Sequence, residues 1–305
     1  MSKPVWTIME ILNWTKQYFA DKGVESPRLD AEVLLCAVLH CERIKLYVDF
    51  ERPLTEAERS TYRNYVQRRA NHEPIAYILG SKAFMDYEFK VTPATLVPRP
   101  ETELLVEAVA KFARAFKPEG GVKILDLGTG SGAIIVSLLA MLPNSLGVGV
   151  DISPEALTVA HENATAIGVK ERCGFICSDL FTRVPIEKKF DIIVSNPPYI
   201  PKAEIPKLAR DVQKEPHGAL DGGEDGLDFY RRIIAKAQDH LASEGLLAFE
   251  VGIYQAQQVA EMCKAAGFTG TAIVKDYGQI ERMVFAVKEE GAAGKYEDLL
   301  LAISK

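Results

Sequence analysis

The sequence has no long hydrophobic run. Its apolar stretches, such as LLCAVL and AIIVSLLAML, are shorter than the roughly 20 residues needed to cross a bilayer, so no membrane span is expected. The opening MSKPVWTIMEILNW lacks a basic start, a long apolar core and a small-residue cleavage site, and no signal peptide is expected. Cysteine is sparse and odd in number: Cys36, Cys41, Cys173, Cys177 and Cys263. Without a secretory context this argues against a disulfide framework and for a reducing, cytoplasmic setting. Cys173 and Cys177 fall in RCGFICSD, which reads as a strand. Four extended residues separate their positions by about 13 Å, too far to share one metal ion. Core packing is the expected role, and no metal site is expected. Positive charge is not in excess either, since 36 Lys and Arg stand against 42 Asp and Glu, a net charge of −6. Through residue 90 the two signs balance at 13 each, so the whole excess lies beyond that point. Such a chain has no general attraction for nucleic acid phosphates. There is no internal repeat and no low-complexity tract.

What is present is ordinary globular usage, 48% hydrophobic and 26% charged over 305 residues, enough for two domains with separate cores. The first 75 residues read as a helical bundle. Ile8, Ile11, Leu12 and Phe19 recur at helical spacing, Ser26-Pro27 forms an N-cap and first-turn proline, and Thr55 with Glu58 forms a capping box. Gln67-Arg68-Arg69 is read as a solvated helix face. Residues 76–97 carry two short strands around Met85-Asp86, a β-hairpin connector. From 98 to 288 strands alternate with helices, which implies right-handed βαβ units and a mostly parallel sheet. No helix separates the last two strands, so the final one is expected to run antiparallel. Residues 289–305 read as an appended linker and short helix.

Two segments carry chemistry. The first strand of the αβ region ends in DLGTGSGAI, where Gly128, Thr129, Gly130, Ser131 and Gly132 form a tight turn into a helix. Such a turn brings backbone close to a ligand and aims free N–H groups at it. Asp151 follows at the end of the next strand, where an acid can accept both hydroxyls of a ribose. Gly128, Gly130 and Ala133 also satisfy the dinucleotide fingerprint, so the loop indicates a nucleoside cofactor without saying which. The fourth strand ends in FDIIVSNPPYI, with Asn196, Pro197, Pro198 and Tyr199 at the sheet's carboxyl edge. The Asn196 side-chain oxygen and the Pro197 carbonyl offer two acceptors on a stiff loop, a match for the two hydrogens of an NH2 group. Tyr199 offers a flat surface for a planar group.

DLGTGSG together with NPPY resembles the class I S-adenosylmethionine-dependent methyltransferases that modify planar amide or exocyclic nitrogens. PIAYILGSKAFMDYEFKVTPATLVPRPETELLVE, SNPPYI, EPHGALDGGEDGLDFYRRI and FEVGIYQ, in that order, resemble one family more closely, the release factor glutamine methyltransferases (HemK/PrmC). The resemblance spans residues 6–288. It implies a Rossmann-like class I methyltransferase sheet behind an N-terminal helical substrate-recognition domain. It further implies methyl transfer from S-adenosylmethionine to the glutamine side-chain nitrogen of the GGQ motif in class I peptide chain release factors. By resemblance, Gly128 to Gly132 surround the methionine part of the cofactor, Asp151 holds its ribose, and Asp179 and Leu180 lie by the adenine. Asn196 to Tyr199 hold the glutamine, and Asn196 also borders the cofactor. The family often carries tryptophan where this chain has Leu180, and an aliphatic side chain can still cover an adenine face. PRPETE (98–103) reads equally as a segment folded over the site or as a proline-stiffened linker.

No strong general base is evident: His161 and His240 fall in helices, and His217, in the long loop after NPPY, reads as solvated. Catalysis is then expected to rest on positioning and on stabilising positive charge that develops on nitrogen. The rival readings are an N6-adenine methyltransferase acting on DNA or RNA, an NAD-dependent dehydrogenase, and a non-catalytic release factor-binding module. The first needs a basic surface that the charge distribution lacks, the second leaves NPPY unexplained, and the third leaves the intact glycine loop, acid and NPPY without a use. The expected partner is a protein, without nucleic acid or membrane, and the chain is read as a monomer.

Overall fold

Thr7 and Thr55 start helices by the same device. Each hydroxyl accepts from the backbone N–H three residues on, at Glu10 and Glu58, and each glutamate accepts in return from the threonine's own N–H. In the computed structural model, which describes residues 6–117 and 120–288, these boxes open α1 (Ile8–Asp21) and α4 (Glu56–Ala70). Ser26 does stand before α2 (Pro27–Leu39), with Pro27 in its first turn, but its side chain makes no capping bond. The ψ of Ser26 is 65°, far from the 165° and 161° that aim Thr7 and Thr55 at their N–H groups. With α3 (Arg43–Val48) and α5 (Ile75–Leu79), these helices enclose Phe19, Leu34, Leu35, Leu46 and Tyr62, all essentially buried. The Tyr62 hydroxyl donates to the Ala31 carbonyl at 3.0 Å, so the ring is buried with its polar tip satisfied.

Of the Gln67-Arg68-Arg69 triplet only Gln67 is a solvated residue; Arg68 is half-buried and Arg69 buried. Arg69 is only 6% exposed and pairs with Asp30 at 2.6 Å and Asp211 at 3.2 Å. Arg68 pairs with Glu73 and donates to the carbonyls of Tyr77 and Ile78. Buried guanidinium groups need such partners because an unpaired charge in a core costs several kcal/mol, on the order of 3–5.

The chain divides into two compact units, one running up to Ser81 together with Ala209–Lys214, the other taking the remaining described residues. The hairpin, β1 (Ser81–Phe84) and β2 (Tyr87–Lys90), turns at Met85, whose φ is 52°. Phe84 and Phe89 meet edge to face at 5.8 Å within the core of the second unit.

That unit is built on α6 (Pro100–Phe116), β3 (Lys123–Leu127), α7 (Ala133–Met141), β4 (Leu146–Asp151), α8 (Pro154–Ala166), β5 (Cys173–Cys177) and β6 (Phe190–Ser195). It continues through α9 (Asp228–His240), β7 (Leu241–Glu250), α10 (Ala256–Ala265), β8 (Gly270–Lys275) and β9 (Glu281–Val287). The strand order among the described residues is β5-β4-β3-β6-β7-β9-β8. The central pairs β5/β4, β4/β3, β3/β6 and β6/β7 are parallel, and β9 runs antiparallel to both β7 and β8. The reversal follows from the short connection after β8, where Asp276 accepts from the backbone of Ile280 and no crossover helix intervenes. Cys173 and Cys177 are the two ends of β5. Buried residues of α6 and α7, such as Phe112, Ile135 and Leu138, join one core cluster; Tyr230, Ile233, Val259 and Cys263 of α9 and α10 join another. Both flanking layers bury the apolar strands on two sides, as parallel sheets require.

Chain order reverses at β3, which lies between β4 and β6. Leu127 is level with Val150 and Ser195, and Ser195 is level with Phe249. Gly128, Asp151, Asn196 and Glu250 are therefore each the first residue past one common row, at the switch point where open α/β sheets bind ligands. No helix among the described residues is long and apolar enough to cross a membrane. The 289–305 segment lies outside the described residues.

Candidate active site

The glycine loop is held from beneath. The N–H groups of Gly128 and Thr129 both donate to the Val150 carbonyl, at 2.8 and 2.9 Å. Thr129 turns its hydroxyl inward to Asp126 at 2.6 Å, and Ser131 offers its carbonyl to the Asn163 amide at 2.8 Å. Asp126 is completely buried, and burial pushes its carboxyl up to about 7 despite the Thr129 hydrogen bond. Gly130, at φ 54°, directs its N–H to Asp151 Oδ2 at 2.8 Å, while Asp151 Oδ1 accepts from Ser153 N–H at 3.0 Å. Each carboxylate oxygen has a further lone pair, so Asp151 both orders the loop and keeps acceptor capacity for a ligand. Gly132 is the N-cap of α7 and packs against Ala160 and Val136.

Gly128, Gly130, Asp151, Asp179, Leu180, Asn196 and Pro198 line one cleft. Thr129, Ser131, Gly132, Pro197 and Tyr199 are not among the residues that line it; Thr129 and Ser131 are buried beneath the loop. Leu180 adopts a left-handed φ of 47°. Asp179 is drawn to Arg232, which it meets at 2.7 Å, and Phe229 adds an aromatic face to the same cleft. Neither Phe229 nor Arg232 is evident as a site residue in sequence, because α9 reads as an ordinary amphipathic helix. His217 carries an exposed side chain 3.8 Å from Asp221, as befits a loop residue. His240 is buried and stacked on Phe181.

The NPPY loop is fixed from three sides. Ser195 donates to the Leu127 carbonyl at 2.6 Å, tying β6 to the root of the glycine loop. Gln255 donates to the Tyr199 carbonyl at 3.0 Å and to the Gly226 carbonyl at 3.3 Å, and accepts from Gly252 N–H at 3.0 Å. The DGGEDG turn presses on the loop so closely that a Cβ on Gly226 would lie 2.3 Å from the Tyr199 carbonyl oxygen. Burial and the neighbouring Glu250 raise the Tyr199 phenol to about 12, so it stays protonated.

PRPETE belongs to this site. Arg99 pairs with the buried Glu215 at 2.5 Å, and Glu215 also accepts from Val97 N–H at 3.0 Å, which anchors the entry to α6. One turn in, Thr102 donates to Glu250 Oε2 at 2.6 Å and accepts from the Asn196 amide, Nδ2 to Oγ1, at 3.2 Å. Thr102 and Glu250 are 4% and 3% exposed. Burial pushes the Glu250 carboxyl up to about 7, with the Thr102 hydrogen bond and the Arg282 charge opposing it. Because Nδ2 of Asn196 is directed to Thr102, the amide oxygen is the acceptor left for the cleft.

Residues 10–80 match the PrmC N-terminal domain family, and residues 118–278 match a methyltransferase domain family. The chain is 43% identical over 281 residues to a release factor glutamine methyltransferase of Geobacter sulfurreducens, covering 92% of this chain and 96% of that one. It is 44% identical over 268 residues to a protein of the same name from Bradyrhizobium diazoefficiens, covering 87% and 89%. Among solved structures, a methyltransferase from Pyrococcus furiosus superposes with a TM-score of 0.51 at 20% identity, covering 74% of this chain and 99% of that one, a likeness of fold.

Proposed function

The chain belongs to the release factor glutamine methyltransferase family, and on that premise we propose how its cleft works. It binds S-adenosylmethionine and transfers the methyl group to the side-chain amide nitrogen (N5) of the glutamine in the GGQ motif of class I release factors. The alignment of Gly128, Asp151 and Asn196 just past one row of the sheet carries this reading. It supports placing the cofactor at the glycine loop and the amide at the neighbouring NPPY loop.

The residues fit the cofactor. Asp151 retains lone pairs for ribose hydroxyls, and the backbone from Gly128 to Gly132 can lie against the methionine portion. Leu180 and Phe229 offer apolar faces for the adenine, with Asp179 at its edge. Bound there, the cofactor supplies a methyl group already activated by the sulfonium charge. The protein's own task is to hold a poor nucleophile, since an amide lone pair is delocalised into its carbonyl. Asn196 Oδ1 and the Pro197 carbonyl accept the two N–H bonds and aim the nitrogen at the methyl carbon. Both acceptors draw charge toward the nitrogen, favouring the positive charge that develops as the N–C bond forms and the C–S bond breaks. The proton then leaves the nitrogen to solvent. Tyr199 gives the loop a flat wall beside the amide.

Gly226→Ala tests the rigidity this requires. Its φ of 78° disfavours any side chain, and the added Cβ would push the Tyr199 carbonyl away. Turnover is expected to fall about 100-fold, since a displacement near 1 Å in a reacting group costs that much. Cofactor affinity measured by calorimetry should be nearly unchanged, because the glycine loop lies on other strands.

An N6-adenine methyltransferase would use the same acceptor pair, but its substrate is a polyanion, and the residues beyond 90 carry the net negative charge. The relatives at 43% and 44% identity are named for release factors. We take the N-terminal helices as the substrate-recognition part of a cytoplasmic monomer. Incubation with methyl-labelled S-adenosylmethionine and, separately, a class I release factor, DNA or RNA decides the substrate. Label is expected in the release factor, and label in a polynucleotide would overturn the reading.

A further inference from the structure

An asparagine amide has two ends of nearly the same shape, and only one of them can hold a substrate NH2 group. If the side chain flips, a donor faces a donor and the site no longer binds the reacting nitrogen productively. Something must break this degeneracy. Thr102 by itself does not, because a hydroxyl can accept from the Asn196 nitrogen or donate to its oxygen equally well.

We propose that Glu250 acts through Thr102 as a positioning residue that fixes which end of Asn196 faces the substrate. This rests on the reading of Asn196 as the holder of the glutamine amide. The Thr102 hydroxyl has one proton, and Glu250 Oε2 takes it at 2.6 Å. Only lone pairs then remain toward Asn196, so Thr102 can accept from Nδ2, at 3.2 Å, but cannot donate to Oδ1. The direction of hydrogen bonding runs from Asn196 to Thr102 to Glu250, and the Asn196 side chain also interacts with the Glu250 carboxylate directly, which only its NH2 end can do favourably. That direction is set by the one member that can only accept, an ionised carboxylate. The chain is shielded, with Thr102 4% and Glu250 3% exposed, so water does not compete for the threonine proton. Tyr230 donates to the Glu250 backbone carbonyl at 2.9 Å, holding the end of β7 in place. Arg282 is the cation that faces the carboxylate, and Glu101, Tyr199 and Tyr230 are the other titratable groups near it.

Protonating Glu250 removes the constraint. An acid proton on Oε2 would donate to Thr102, free the hydroxyl to point at Asn196 and permit the flip. The working form is the carboxylate, and burial raises its pKa to about 7. Turnover is therefore lost as pH falls through about 7 and is complete above it.

Three variants test this, each assayed for turnover, KM for release factor and cofactor affinity. Thr102→Val keeps the shape and removes the hydroxyl; kcat is expected to fall about 100-fold, comparable to losing one catalytic hydrogen-bonding group. KM and cofactor affinity should move little. Thr102→Ser should restore most of the rate, which a packing role for the threonine methyl would not allow. Glu250→Gln should lower kcat and abolish its acidic limb at saturating S-adenosylmethionine; Asp126, the other carboxyl raised to about 7, lies beneath the glycine loop, so its titration acts on cofactor affinity. Valine at 102 with unchanged kcat, serine as damaging as valine, or an acidic limb that persists in Glu250→Gln would each overturn the proposal. Asn196→Ala in the same assay separates the two readings. If it is inactive while Thr102→Val is normal, only the positioning role fails; if it remains active, the assignment of Asn196 fails with it.

Discussion

Replacing Asn196 by alanine is expected to lower kcat/KM for the release factor about 1,000-fold, the upper range for losing one preorganised group at a reacting centre. The residue stands just past β6 with its nitrogen directed to Thr102, and alanine removes the oxygen proposed to accept from the substrate amide. Pro197 still offers its carbonyl, so the substrate can enter, but with one acceptor its nitrogen can swing away from the methyl carbon. Cofactor affinity should largely survive, because Asp151 and the glycine loop are anchored on β3 and β4. Turnover assays paired with calorimetric titration of S-adenosylmethionine make the comparison. Equal loss of both quantities would contradict the assigned roles.

Asp151→Ala is expected to act in the opposite sense. The carboxylate accepts from Gly130 and Ser153 and keeps lone pairs for ribose hydroxyls. Losing charge-assisted hydrogen bonds worth about 2–3 kcal/mol corresponds to a cofactor dissociation constant about 30- to 150-fold higher. Turnover at saturating cofactor should recover much of the wild-type value. Asp151→Asn should be nearly as harmful, because one carboxylate oxygen becomes an NH2 that confronts either the Gly130 or the Ser153 N–H. A properly folded Asp151→Ala protein with unchanged cofactor affinity would remove this residue from the site.

The parts of the site that were legible in sequence are those made by consecutive residues. The glycine turn and NPPY each follow a buried strand, and alternation of strands with helices places both at a carboxyl edge. What was hidden depends on pairs far apart in the chain. Thr102 and Glu250 are 148 positions apart, and only the pairing of β6 with β7 brings Glu250 level with Asn196. PRPETE looked equally like a linker because its prolines say nothing about Glu215, which holds Arg99 from across the fold. Charge was misleading at Arg69 for a similar reason. A run of basic residues on a helix suggests solvent, yet Asp30 and Asp211 supply partners that no local pattern reveals. Phe229 likewise joins the cleft through the docking of α9, not through any spacing in DFYRRI.

The glutamine itself provides the most direct test. A class I release factor incubated with the protein and S-adenosylmethionine can be cleaved and its GGQ peptide analysed by tandem mass spectrometry. The account predicts a single methyl group on the side-chain nitrogen of that glutamine with the wild-type chain, and almost none with Asn196→Ala. A methyl group on another residue, or full modification by Asn196→Ala, would contradict it.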